Sequence, residues 1–259
     1  MVHRRIKLLR WGNGIGFVGM LGVNALAEAL PLGGVTTGDV SKTYFNLFTP
    51  APVTFAIWGV IYLLLAGFIL RQAGAFRKRL GESEETVERA GGWFLFSCLC
   101  NAGWLLCWHY DLICLSTLLM LGLLISLAVL TGRLRRSHAS RAERLLTEAP
   151  FSLYFGWITV ATIANVAVWL TKRGWDGWGL SDETWTAILL IAGAVLALVT
   201  TLRRREWVYP LAVLWAYVGV IIRHVFDLQG AYPGVIVTAA LCCILLMIVG
   251  VRAAVRADS

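Results

Sequence analysis

Residues 50–70 read PAPVTFAIWGVIYLLLAGFIL, and no charged side chain interrupts the run before Arg71. A helix of that length crosses a hydrocarbon core of ~30 Å. In hydrocarbon each backbone donor and acceptor needs an internal partner, which leaves helices and closed barrels as the spanning structures. Barrel strands alternate apolar and polar residues over ~10 positions, whereas this run is apolar throughout. Runs of the same kind recur at about 14–32, 92–110, 112–132, 150–171, 186–202, 207–223 and 234–252. The expectation is an all-α, polytopic integral membrane protein of about eight transmembrane helices.

Composition agrees. Hydrophobic residues make up 58% of the 259 and charged residues 15%, against ~45–50% and ~25% in a soluble domain. The net charge of +8 comes from basic residues gathered in short loops between apolar runs. With alternating spans, 19 of the 23 Lys and Arg fall on the side of the termini. That asymmetry orients the chain with both termini cytoplasmic, in what we expect to be the plasma (inner) membrane of a bacterium. It builds no groove for phosphates, so nucleic acid is not an expected partner; the bilayer is. The cysteines (Cys98, Cys100, Cys107, Cys114, Cys242 and Cys243) lie in or beside apolar runs, as small buried hydrophobes do. None has zinc spacing, and no metal is expected. No HExxH, phosphate-binding glycine loop or serine elbow marks a catalytic residue.

Tryptophan is unusually frequent, at twelve. Trp11, Trp175, Trp178, Trp185 and Trp207 fall at predicted helix ends and read as interfacial anchors. Others form stripes. Asn101, Trp104 and Trp108 share one face of the third helix at 100° per residue. Trp157, Ala161 and Asn165 do so on the fifth, and Phe55, Trp58 and Tyr62 on the second. Converging, such faces would make an aromatic-walled pocket with a few hydrogen-bonding groups, suited to a flat hydrophobic ligand. Packing between helices is the competing reading of the same periodicity.

The wording of these stripes resembles the tryptophan-rich sensory protein (TspO/MBR) family. That family opens its second helix with aromatic–x–Pro–Pro followed by Phe, Trp, Leu-Tyr and Gly; here stand Phe48, Pro50, Pro52, Phe55, Trp58, Tyr62 and Gly67. Its Leu-Asn-x-x-Trp corresponds to Cys100, Asn101 and Trp104. Its Pro-Tyr-x-x-Trp, with Ala and Leu-Asn following, corresponds to Tyr154, Trp157, Ala161 and Asn165. Pro50 and Pro52 are separated by Ala51, Leu153 replaces the family's proline, and three helices follow the family's five. The resemblance covers about 11–171. It divides the chain into a five-helix region, 1–171, and three additional helices, 172–259.

The resemblance implies an intramembrane cavity near the loop between helices one and two, accommodating a tetrapyrrole (porphyrin-like) or sterol-like molecule. The ligand-binding candidates are Trp58, Tyr62, Asn101, Trp104, Trp108, Tyr154, Trp157, Ala161 and Asn165. Porphyrin is a ligand in this reading, and no cofactor is expected. The loop from about Gly33 to Thr49, with Tyr44, Phe45, Leu47 and Phe48, reads as folding back on the bundle, where it could cap a cavity.

Asn24 and Glu28, at i and i+4 in the first helix, form a candidate polar intramembrane site. Arg223 and Asp227 read as a local ion pair, and His109 and Asp111 as solvated turn residues. Gly12, Gly16, Gly19 and Gly22 suit close helix packing, and a homodimer seam stays open. The expected function is binding or sensing of the hydrophobic molecule, with its transport or signalling. A secondary transporter using Asn24 and Glu28, and a membrane enzyme acting on porphyrin, are the alternatives.

Overall fold

The computed structural model describes residues 2–30, 34, 40, 43–81, 83–135, 140–204 and 206–258. Among the described residues, eight long helices overlap the eight apolar runs: α1 (Val2–Ala29), α2 (Ile57–Gln72), α3 (Trp93–His109), α4 (Ile113–Leu134), α5 (Ala149–Lys172), α6 (Asp182–Arg204), α7 (Val208–Ile222) and α8 (Pro233–Asp258). No strand occurs among the described residues. By length and composition six of them are apolar enough to cross a membrane: α2 and α4 to α8. A seventh counts if the short helix Glu84–Ala90 and α3, bent by 52°, form one span. The first helix falls short of that test. Arg4, Arg5, Lys7 and Arg10 crowd its first turns, and Asn13, Asn24 and Glu28 dilute the rest.

Sequence chemistry sets the helix ends. Pro52 starts a 3₁₀ turn, Pro52–Ala56, that feeds α2, since proline needs no partner for an amide it lacks. Ser140 and Glu143 form a reciprocal capping box ahead of α5. Asp182 and Glu183 open α6 and Arg203 and Arg204 close it, each sign at the favourable end of the helix dipole.

The chain forms two compact units, Met1–Thr37 with Trp58–Phe155, and Gly38–Ile57 with Gly156–Ser259. Residues of α5 thus belong to both units, and the described residues of the loop before α2 belong to the second.

In the first unit, Phe68, Phe94 and Phe151 meet edge to face or tilted, with centroids 4.7–5.8 Å apart. All three are essentially inaccessible and tie α2, α3 and α5 together. The glycine stripe of α1 is used in part. Gly12 and Gly16 lie against Leu95 of α3, and a methyl group at Gly16 would stand 2.5 Å from Leu95 Cδ1. At one end of α2, Arg71 is buried and pairs with Glu143 at 3.2 Å.

In the second unit, Tyr209 and Tyr217 are buried polar pins. The Tyr209 hydroxyl donates to Thr159 Oγ1 at 2.7 Å, and that of Tyr217 to the Leu190 carbonyl at 2.6 Å. Three glycines allow close approaches in this unit: Gly156 to the Tyr209 backbone, Gly193 to the Tyr217 hydroxyl, and Gly219 to the Thr54 side chain. Glu183 accepts from the Gly234 amide at 2.8 Å, placing a carboxylate on the N-terminus of α8.

Candidate functional site

The nine ligand-binding candidates divide between the two units. Six lie in the first and form one contiguous cluster. Trp58 stacks on Tyr62 at 5.4 Å and on Trp104 at 6.1 Å, and meets Tyr154 edge-on at 5.5 Å; Trp108 continues from Trp104 at 6.2 Å. The stripes that spacing marked on α2 and α3 therefore face one another, and α5 joins them through Tyr154, the residue that the family resemblance singled out.

Their polar groups are linked through Asn24. The Tyr62 hydroxyl donates to Asn24 Oδ1 at 2.7 Å, Asn24 Nδ2 to Asn101 Oδ1 at 2.8 Å, and Asn101 Nδ2 to the Tyr154 hydroxyl at 2.8 Å. Asn24 Nδ2 also reaches the Met20 carbonyl at 2.9 Å. This amide–phenol chain crosses four helices. Buried polar groups in an apolar interior need such partners, and Asn101 is fully buried. Asn24 thus joins the aromatic candidates; Glu28, one turn further along, is exposed.

The other three candidates lie in the second unit. Trp157 is buried and meets Phe55 edge-on at 5.9 Å. Asn165 is buried and Ala161 half-buried.

The second unit also holds a cavity of about 490 Å³, within the range of ~300–1,000 Å³ typical of small-molecule sites. Loop residues Phe45 to Phe48 form one wall. Ile163, Val166, Ala167 and Leu170 of α5 form another, and Trp175, Trp185 and Leu189 face them from the α5–α6 link and α6. Thr162, Thr171, Thr186 and Asp182 supply the polar side chains besides Asn46. None of the nine candidates is among the lining residues. At 100° per residue the Trp157–Ala161–Asn165 stripe and the Ile163–Val166–Leu170 wall are nearly opposite faces of α5.

The described stretch of the loop, residues 43–49, folds back, while residues 33, 35–39, 41 and 42 lie outside the described residues. Leu47 and Phe48 are buried, and Asn46 shapes the turn by accepting from the Thr49 amide and hydroxyl, both at 2.9 Å. Trp175 and Trp185, read from sequence as interfacial anchors, wall the cavity instead. With Trp178 they pack on one another at 5.0–5.7 Å, and Trp185 Nε1 donates to the Gly177 carbonyl at 2.6 Å. Gly174, Gly177 and Gly179 all have positive φ, which lets so short a link fold on itself.

Two further expectations are corrected. His109 is buried, its Nδ1 3.0 Å from the Leu105 carbonyl, because the ring folds back onto its own helix. Arg223 forms no ion pair with Asp227; its Nη1 donates to the Asn46 and Thr49 carbonyls at 2.9 and 2.7 Å. Among the described residues no cluster of His, Cys, Asp or Glu could hold a metal.

No curated protein and no solved structure matches the chain. A model of the TSPO-like protein family matches residues 10–252. The match runs through all eight helices, so the three beyond residue 171 fall within the family's extent. The chain is a polytopic integral membrane protein that belongs to the TSPO-like family.

Proposed function

We propose that this protein binds a flat, hydrophobic ligand within the membrane, of tetrapyrrole-like or sterol-like shape, and that the cavity beneath Phe45–Phe48 receives it. Family membership suggests a membrane binding or sensing protein. The observation that carries the reading further is the cavity itself, with Phe45, Phe48, Trp175 and Trp185 as aromatic walls around aliphatic residues. Such walls offer area and ring contact to a flat ligand, and the threonine hydroxyls offer orientation. In this reading the amide–phenol cluster around Asn101 joins helices. The termini are cytoplasmic by the charge asymmetry, in a bacterial plasma membrane.

A second reading places the ligand in the cluster, favoured by the convergence of Trp58, Tyr62, Trp104 and Tyr154 on one spot. Titration of the purified protein with protoporphyrin IX, followed by tryptophan emission, separates the two. The cavity reading predicts saturable quenching that falls in Trp175→Phe and Trp185→Phe and persists in Trp104→Phe. Loss of quenching in Trp104→Phe alone would move the site to the cluster. Absence of saturable quenching in folded protein would overturn the binding reading.

A further inference from the structure

We infer that the turn at the end of α7 fastens the lid of this cavity, and that Arg223 and His224 are positioning residues controlling access to it. Only the identity of the occupant rests on the binding reading above; the fastening stands on geometry alone. Residues Phe45–Phe48 close one wall of the cavity. They form no strand or long helix, so their position depends on what holds their carbonyls.

Two successive side chains do so from about 177 residues away. Arg223 Nη1 donates to the carbonyls of Asn46 and Thr49. His224 Nε2 lies 2.8 Å from the carbonyl of Leu47. A carbonyl only accepts, so that nitrogen carries the proton. The guanidinium also lies over the Phe45 ring, 5.5 Å from its centroid, a cation–π contact that steadies a cavity wall. His224 is fully buried and its ring meets Tyr232 of the α7–α8 link edge-on at 5.8 Å, which fixes its aim.

Local backbone explains how both side chains reach one loop. Arg223–Asp227 is a single π-helical turn, closed by the Leu228 amide on the Arg223 carbonyl at 3.0 Å. An inserted residue of this kind re-aims side chains and recurs at functional sites. Just beyond the loop, the Ala51 amide donates to the Gly219 carbonyl at 3.0 Å and Trp215 Nε1 to the Thr54 carbonyl at 2.8 Å. The lid is thus anchored along α7. On its other edge it meets α5, where Lys172 Nζ sits 5.6 Å from the Tyr44 ring centroid.

The test uses the full chain in nanodiscs and needs no ligand. Amide exchange of residues 43–49 is followed by mass spectrometry. Maleimide labelling is followed at Ala167→Cys, in a background with Cys107 and Cys114 replaced by serine. Arg223→Gln and His224→Leu are each expected to speed both readouts about tenfold. His224→Gln, which keeps a donor, and Arg223→Lys, which keeps the charge, are expected to stay within about threefold of the parent and to serve if a harsher variant fails to fold. Unchanged exchange and labelling in folded Arg223→Gln would overturn the inference. Faster exchange without faster labelling would overturn it too, since the loop would then be fastened without covering the cavity. Failure of protoporphyrin to bind bears on the occupant and leaves these readouts intact.

Discussion

Replacing Asn101 by alanine separates a structural amide from one that waits for a ligand. Asn101 is fully buried and stands between Asn24 and Tyr154, at 2.8 Å from each. The substitution removes two hydrogen bonds with unequal consequences. Asn24 keeps the Met20 carbonyl and the Tyr62 hydroxyl, so its loss is small. The fully buried Tyr154 hydroxyl loses the amide that donates to it. A net hydrogen bond is worth about 1 kcal/mol, and a stranded buried group costs about 1–3 kcal/mol; between membrane helices the measured average is nearer 0.6 kcal/mol. Together these give about 2 kcal/mol.

The assay is reversible denaturant unfolding in mixed micelles, with the cycle completed by Tyr154→Phe. Each single change should destabilise. The double mutant should cost little more than Asn101→Ala, giving a coupling of about 1 kcal/mol, because phenylalanine removes the group that the first change strands. Stability unaltered in Asn101→Ala, or strict additivity in the double, would refute the linked chain. It would return Asn101 to the role of a ligand contact.

The remaining predictions concern close approaches and charge. Gly219→Ala should destabilise by about 1–3 kcal/mol, because the new methyl meets the Thr54 side chain where the turn before α2 docks on α7; thermal melting of folded protein reads this, and an unshifted midpoint would contradict it. Glu143→Ala should cost about 1.5–3 kcal/mol by removing one charge-assisted hydrogen bond from buried Arg71. Adding Arg71→Met should restore much of that loss in the same melt, and a double mutant worse than the single would count against the pair.

The helices were legible because lipid solvation acts residue by residue: an apolar run must be helical wherever it spans. The first helix shows the boundary of that rule: its run was read as a span, yet its charged start and internal amides leave it too little hydropathy to qualify as one by length and composition. The cluster around Trp58 was legible in part: spacing marked Trp58 and Tyr62 on α2 and Asn101, Trp104 and Trp108 on α3, while Tyr154 of α5 was singled out only by the family resemblance. Asn24 was legible as a polar residue in a span but was paired with Glu28 at i+4. Its partners, Tyr62 and Asn101, lie 38 and 77 residues away.

The cavity was harder to read. Periodicity assigns faces within a helix and is silent on which faces of different helices meet. It marked the Ala161 stripe of α5 and passed over the opposite face, where Ile163, Val166 and Leu170 look like ordinary span residues. Trp175 and Trp185 sit where interfacial anchors sit. Only the positive φ of Gly174, Gly177 and Gly179 reveals the folded link, and glycine frequency was the signal available. Arg223 and Asp227 satisfied the i, i+4 rule. The π turn and the loop carbonyls, both invisible to that rule, took the arginine elsewhere.

Protoporphyrin IX affinity in Ala167→Phe, compared with the parent chain, tests the central claim most directly. Ala167 lines the cavity and lies outside the aromatic–amide cluster, so a ring placed there occupies ligand space and leaves the cluster alone. Saturable tryptophan quenching in the parent and a loss of at least tenfold in affinity in the folded variant is the result the cavity account requires. Equal affinity in both would place the porphyrin elsewhere and contradict it.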